Sequence, residues 1–286
     1  MAASIGLAYS VCMPTSPTAR TTYRYLLGDS RREASRLRRQ ARLWDPTAFA
    51  LFDRIKVARG WRVLEVGPGK GSLHLELRRR VKAPVDAVER SRAFATALRA
   101  SCRRDGYGQG TIWETDLIAA PLPRATYDLI FARWVFLFLP DPVAHVRKLA
   151  AALKPGGLLA IEDYCRATLR RIPEPPHWEN FLEADLAFFA SQGGDANIGA
   201  RLPDVYERAG LDVVDVMPTI KWGRAGSPVW NWVSSYFMGV LPQLARFAPF
   251  DAVQASRVRR DWLAAGKRRN SWLIAPTLVD VVGRKR

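Results

Sequence analysis

The sequence predicts an α/β fold, a parallel sheet with helices on both faces, interrupted by inserted segments rich in aromatic residues. Three observations carry this reading. From Gly60 to Asp163, short apolar runs alternate with helical stretches, which is the rhythm of strand-helix-strand units whose strands are buried on both sides. A glycine cluster, Gly67, Gly69 and Gly71, stands between the first of these strands and the first helix. After Asp163 the rhythm breaks, and aromatics crowd into two stretches too long for plain loops.

Taken in order, residues 1–19 carry no charged side chain and scatter proline and serine, so they are expected to form a flexible leader. Residues 20–59 read as a helical segment: Leu37, Ala41, Ala48, Leu51, Phe52 and Ile55 fall at helical spacing, interrupted at Asp45-Pro46, where a new helix can start. Residues 60–163 form the core, with strands at Arg62–Val66, Val85–Glu89, Thr111–Thr115, Tyr127–Ala132 and Leu158–Glu162. Helices are expected at Ser72–Arg80, Arg92–Arg103 and from about Pro142 to Leu153, the last followed by a Lys154-Pro155-Gly156-Gly157 turn. Residues 164–200 read as a cap insert and 201–217 return to the core, with a helix at Pro203–Ala209 and a strand at Val213–Met217. Residues 218–270 are a second, helical cap insert holding Trp222, Trp230, Trp232, Tyr236, Phe237 and Trp262; residues 271–286 supply the last strand and a tail.

Composition narrows the function classes. A chain of 286 residues with 48% apolar content can bury a substantial core. It has no long apolar run and no basic start of the signal-peptide kind, so the expected setting is cytoplasmic, with no membrane partner. Cys12, Cys102 and Cys165 are odd in number and lack metal spacing, so they are read as reduced, and no metal is expected. The net charge of +17 raises nucleic acid as a partner, but the charge gathers at the ends, in residues 20–42 and 241–286, which fits a solvated basic surface better. A homo-oligomer is left open.

The glycine cluster carries the chemistry. A tight turn at the carboxyl end of a strand is where open α/β sheets bind ligands, and the following helix offers unpaired N–H groups to an anion. A dinucleotide fingerprint counted from Gly67 would need a third glycine at position 72, which is Ser72, and the P-loop spacing is absent too. Glu89, ending the second strand, is placed to accept hydrogen bonds from both hydroxyls of a ribose.

On these residues the chain resembles the class I S-adenosylmethionine-dependent methyltransferase family, in its small-molecule branch of ubiquinone-biosynthesis and natural-product types. The resemblance rests on Val63-Leu64-Glu65-Val66-Gly67-Pro68-Gly69-Lys70-Gly71, Glu89, Thr115-Asp116-Leu117, Tyr127-Asp128-Leu129-Ile130-Phe131-Ala132-Arg133-Trp134, Leu139-Pro140-Asp141-Pro142 and Leu153-Lys154-Pro155-Gly156-Gly157. Tyr25-Leu26-Leu27-Gly28-Asp29 and Gly193-Gly194-Asp195 resemble one branch of the family. It implies a Rossmann-like seven-stranded sheet with the last strand antiparallel. It also implies S-adenosylmethionine as cofactor, S-adenosylhomocysteine as product and a small-molecule substrate. Glu65 and Gly67 would line the methionine portion, with Gly69 and Gly71 also binding the cofactor; Glu89 would hold the ribose, Asp116 and Leu117 the adenine, and Arg133 and Trp134 would lie under the sulfonium. Many relatives carry a histidine where this chain has Phe138.

Methyl transfer needs positioning more than a base. If the acceptor must lose a proton, three residues are candidates: His177, which follows three prolines in the first cap insert, and Asp163 and Tyr164, which follow the fifth strand. Each has a plainer reading, Asp163 as a turn cap in particular. His74 and His145 are read as helix-packing and solvated residues. The expected reaction methylates an O, N or C atom of an apolar or aromatic small molecule, one bearing an anionic group included. RNA- or protein-directed methylation and a non-catalytic cofactor-binding protein are the alternatives.

Overall fold

A computed structural model describes residues 31–286, with side chains from residue 39 onward. The leader, Cys12 and Tyr25–Asp29 lie outside the described residues. The described part of the N-terminal segment is one helix, α1 (Arg31–Arg54), followed by β1 (Val63–Val66), α2 (Ser72–Val81), β2 (Asp86–Val88), α3 (Arg92–Cys102), β3 (Ile112–Trp113), β4 (Tyr127–Arg133), α4 (Pro142–Ala152) and β5 (Leu153–Cys165). Then come β6 (Arg170–Ile172), α5 (Trp178–Ser191), α6 (Ile198–Arg208), β7 (Leu211–Thr219), β8 (Trp222–Arg224), α7 (Pro228–Leu244), α8 (Ala252–Ala265), β9 (Trp272–Ile274) and β10 (Thr277–Lys285).

Seven strands form the main sheet in the order β3-β2-β1-β4-β5-β10-β7. The pairs β3-β2, β2-β1, β1-β4 and β4-β5 are parallel, and β10 runs antiparallel to both β5 and β7. The expected Rossmann-like sheet with an antiparallel last strand is therefore present. Strand order reverses beside β1, so the crevice at the carboxyl ends of β1 and β4 is the topological switch point.

Alternation along the strands explains the two covered faces. Val63, Leu129, Phe131, Ala160 and Val282 join Ala48, Leu51 and Phe52 of α1 and Leu73, Leu77 and Val81 of α2. The intervening Leu64, Val66, Ile130, Ala132, Leu159 and Ile161 point the other way, toward Val146 and Leu149 of α4 and Leu202 of α6. Arg54 then ties α1 to the far side of the sheet, reaching Asp215 at 2.7 Å and Asp280 at 3.0 Å.

Several boundaries differ from expectation, each for a physical reason. The interruption at Pro46 does not occur: α1 runs through it because Trp44 on one side and Ala48, Leu51 and Phe52 on the other are all fully buried. That packing outweighs the hydrogen bond a proline removes. Helix α6 starts five residues before Pro203, since Gly199 lets its first turn press on the end of β5; a Cβ there would stand 2.4 Å from the Asp163 carbonyl oxygen. The second cap insert is not purely helical. One strand from each insert, β6 and β8, pairs with β9 of the final segment in a three-stranded sheet, β6-β9-β8, whose three-residue strands lie too far apart in sequence for periodicity to reveal.

Phe52 meets Phe131 edge to face at 4.9 Å, both with no exposure. Phe52→Ala is expected to destabilise the fold by about 3 to 5 kcal/mol, read as a lower midpoint in chemical denaturation.

Candidate functional site

The turn after β1 is shaped by its glycines. Gly67, Gly69 and Gly71 all have positive φ, at 67°, 54° and 83°, a region costly for residues with a Cβ. A Cβ on Gly67 would lie 2.6 Å from Val135 and one on Gly71 2.5 Å from Leu98, whereas nothing lies within 4 Å of that position on Gly69. The outer two glycines thus let the loop nest against the protein, and the middle one opens to space.

Glu89 fastens this loop to β2. Its carboxylate accepts from the Gly69 N–H at 3.0 Å and the Ser91 N–H at 2.7 Å. Burial raises its pKa, against the pull of those two N–H groups. Asp116 stands at the end of β3, exposed, with Arg90 at 3.7 Å, and Leu117 beside it is buried. The open face over Gly69, the Glu89 carboxylate with lone pairs remaining and the Asp116-Leu117 pair fit a nucleoside lying across the carboxyl ends of β1, β2 and β3.

Glu65 projects under the loop, not into it. Its carboxylate meets His74 Nδ1 at 3.0 Å, and both side chains are almost wholly buried. Desolvation alone would lower the His74 pKa; Cys102 and Glu65 more than offset it and raise the value to about 9. His74 is thus the partner that holds Glu65 in place, a role beyond the helix packing its sequence position implied.

The carboxyl ends of β4 and β5 carry a cluster of aromatic rings, called here the chamber. Trp134 takes a positive φ of 55° and donates its backbone N–H to the Glu162 carbonyl at 3.0 Å. Its ring stacks on Tyr164 at 5.5 Å and lies beneath the Arg133 guanidinium at 4.4 Å. Trp44 of α1 and Trp232 of α7 complete the cluster, 5.5 Å apart, with Trp232 6.1 Å from Tyr164. Lys221, just before β8, lies 5.2 Å from the Trp44 ring. Trp44 and Lys221 had no sequence signal as site residues: one falls in a helical run, the other between strands.

Charge is packed densely behind this chamber. In register across the sheet, Arg133 pairs with Glu162, and Glu162 with Asp280. Arg133 also binds Asp45 of α1, and its Nε lies 3.9 Å from Glu162. Complete burial, reinforced by Asp280, pushes the Glu162 carboxyl well above the usual carboxylate range, with Arg133 opposing.

The three candidate bases are not brought together. Tyr164 is in the chamber. Asp163 points away from it, fully buried, and accepts the N–H groups of Leu137 at 3.1 Å and Tyr164 at 2.9 Å. Its environment is that of a turn cap, and burial lifts its pKa to about 7. His177, at the start of α5 with a φ of 64°, has its ring nitrogen 3.4 Å from Arg257 of α8. The neighbouring Trp178 packs with Phe181, Phe237 and Trp262 in a separate cluster. Phe138 lies against Phe189 at 5.7 Å.

A family profile described as a methyltransferase domain matches residues 64–161, from β1 to near the end of β5. Over those residues the chain carries a methyltransferase domain. Among curated relatives, the methyltransferase GfsG of Streptomyces halstedii is 28% identical over 182 residues, 62% of each chain; this chain thus spans under two thirds of that relative's length. A solved methyltransferase-type structure from Bacillus halodurans matches with a TM-score of 0.60 at 16% identity, over 82% of this chain and 97% of that one. Geranyl diphosphate C-methyltransferase of Streptomyces coelicolor, solved with Mg2+, geranyl diphosphate and S-adenosyl-L-homocysteine, matches with a TM-score of 0.53 at 13% identity, over 91% and 87% of the two chains. At such identities these structures share the methyltransferase fold. Among the described residues no helix is long and apolar enough to cross a membrane.

The His74–Glu65 pair gives the domain a pH signature. A histidine pKa raised from about 6.5 to about 9 adds stability that is complete below pH 6.5 and lost as pH rises through 9, on the order of 3 kcal/mol. Denaturation midpoints of wild type should fall over that interval, and those of His74→Gln should stay nearly level.

Proposed function

We propose that the protein transfers a methyl group from S-adenosylmethionine to an O, N or C atom of an apolar or aromatic small molecule held in the chamber of Trp44, Trp134, Tyr164 and Trp232. The observation that carries this reading is the adjacency of that chamber to the glycine loop: Val135, the residue after Trp134, is the side chain against which Gly67 nests.

When bound, S-adenosylmethionine supplies a methyl carbon already activated by a sulfonium. What remains for the protein is to align an acceptor in line with that carbon and keep water away. The loop at Gly67–Gly71 and the Glu89 carboxylate would fix the donor, with Glu65, braced by His74, beneath its methionine end. The flat faces of Trp134 and Tyr164 would orient a planar or apolar acceptor by stacking and by excluding water. Arg133, lying over Trp134 and bound to Asp45, would act as a positioning residue for that ring.

Of the proposed bases, Tyr164 is favoured, because it alone has its ring in the chamber. Asp163 is proposed to hold the turn after β4, and His177 the start of α5. The basic side chains exposed on α8, Arg257, Arg259 and Arg260, lie on a separate element and enter no step.

Two measurements test this. Calorimetry should detect binding of both S-adenosylmethionine and S-adenosylhomocysteine, and Glu89→Ala should weaken it by about tenfold or more, the worth of a buried charged acceptor; no binding by wild type would sink the proposal. With an acceptor found by mass spectrometry as a gain of one methyl, Tyr164→Phe should lower kcat by about a hundredfold if Tyr164 takes the proton, while His177→Ala should leave the pH profile unchanged.

A further inference from the structure

The chamber is rich in donors that have no acceptor. Trp44 and Trp134 keep buried indole N–H groups with no hydrogen-bond partner, and so does Nη1 of Arg133. Trp44 has no exposure and the Arg133 side chain 8%. Buried polar groups in folded proteins are nearly always paired, so three unsatisfied donors in one cluster mark a place where an acceptor is expected. All three can only donate, and two cations, Arg133 and Lys221, lie against the same rings.

The charge balance agrees with the donor set. Arg133 is partly neutralised by Asp45, but Glu162 behind it is driven toward its protonated form by burial. Lys221 has no ion-pair partner within reach among the described residues. Two cations, Arg133 and Lys221, thus meet the aromatic faces, and Asp45 is the carboxylate bound directly to one of them.

Building on the small-molecule reading above, we propose that this cluster is a carboxylate-binding subsite, and that the acceptor is an apolar or aromatic carboxylic acid. The indole N–H groups of Trp44 and Trp134 and the free Nη1 of Arg133 receive its oxygens, Lys221 adds charge, and the rings of Tyr164 and Trp232 hold its body. A carboxylate could also come from the methionine end of the donor, so the test separates the two sources.

The protein is saturated with S-adenosylhomocysteine, and calorimetry then compares benzoate, trans-cinnamate and octanoate with their methyl esters, for wild type, Trp44→Phe and Lys221→Met. The first variant keeps an aromatic ring and removes the N–H together with part of the indole's volume; the second sits at a half-exposed position and spares the core. Support would be an acid binding at least about tenfold more tightly than its ester, with that ratio reduced in both variants and S-adenosylhomocysteine affinity unchanged. Acid and ester binding alike in all three pairs, or no acid binding, would overturn the proposal. So would a loss of S-adenosylhomocysteine affinity in Trp44→Phe with the acid-to-ester ratio intact, which would assign the subsite to the donor's own carboxylate. Failure of wild type to bind S-adenosylhomocysteine would instead remove the methyltransferase reading, and the acid-ester comparison on the unloaded protein would still decide the subsite.

Discussion

Charge packed between α1, the carboxyl ends of β4 and β5 and the amino-terminal half of β10 is the constraint around which the site is arranged. Among the described residues, Asp45, Glu162, Asp280 and Asp215 meet two guanidiniums, those of Arg54 and Arg133. A buried charge without a partner costs several kcal/mol, so each arginine is held by two carboxylates, and Glu162 is pushed toward neutrality. The arrangement has one low-energy register. It places α1 so that Asp45 reaches Arg133, and that sets Trp44, one residue earlier, into the ring cluster with Trp232 and Tyr164.

The glycine loop and the aromatic cluster are built by different physics. Glycine conformations and backbone N–H groups define the loop, and Glu89 accepts from one of them, that of Gly69, and from the Ser91 N–H outside the loop. Such a site is stiff and suits a ligand that never changes. Side-chain faces define the chamber, and its unusual backbone, the positive φ of Trp134, is held by one hydrogen bond to the Glu162 carbonyl together with ring contacts. Non-glycine residues in that region store strain, and strain of this kind gathers where a side chain must be aimed.

How much of this was legible in the sequence follows the same division. The sheet, the loop, Glu89 and the positions of Asp116, Arg133 and Trp134 are contiguous motifs, and contiguous motifs can be read by spacing. The chamber is not contiguous. Trp44 reads as one apolar position in a basic helix, and only the fold shows that it faces Trp232, 188 positions later. The pairing of His74 with Glu65 was hidden for a related reason, since helical spacing shows that a residue faces inward but not which charge it meets. Asp163 illustrates the opposite case: its place after β5 drew attention to it, and its surroundings are the N–H groups of a turn.

The chamber's walls come from α1, the ends of β4 and β5, and α7 with the segment before β8. No one of these is continuous with another, and none of the wall residues lies in the loop from Gly67 to Gly71. Substitutions that reshape a wall therefore leave the donor loop's backbone untouched. Under the proposed function, a lineage with this architecture exchanges its acceptor by small steps in α1 or α7 while the cofactor end is inherited intact, so that divergence among its members should be written mainly in the segments that flank the domain.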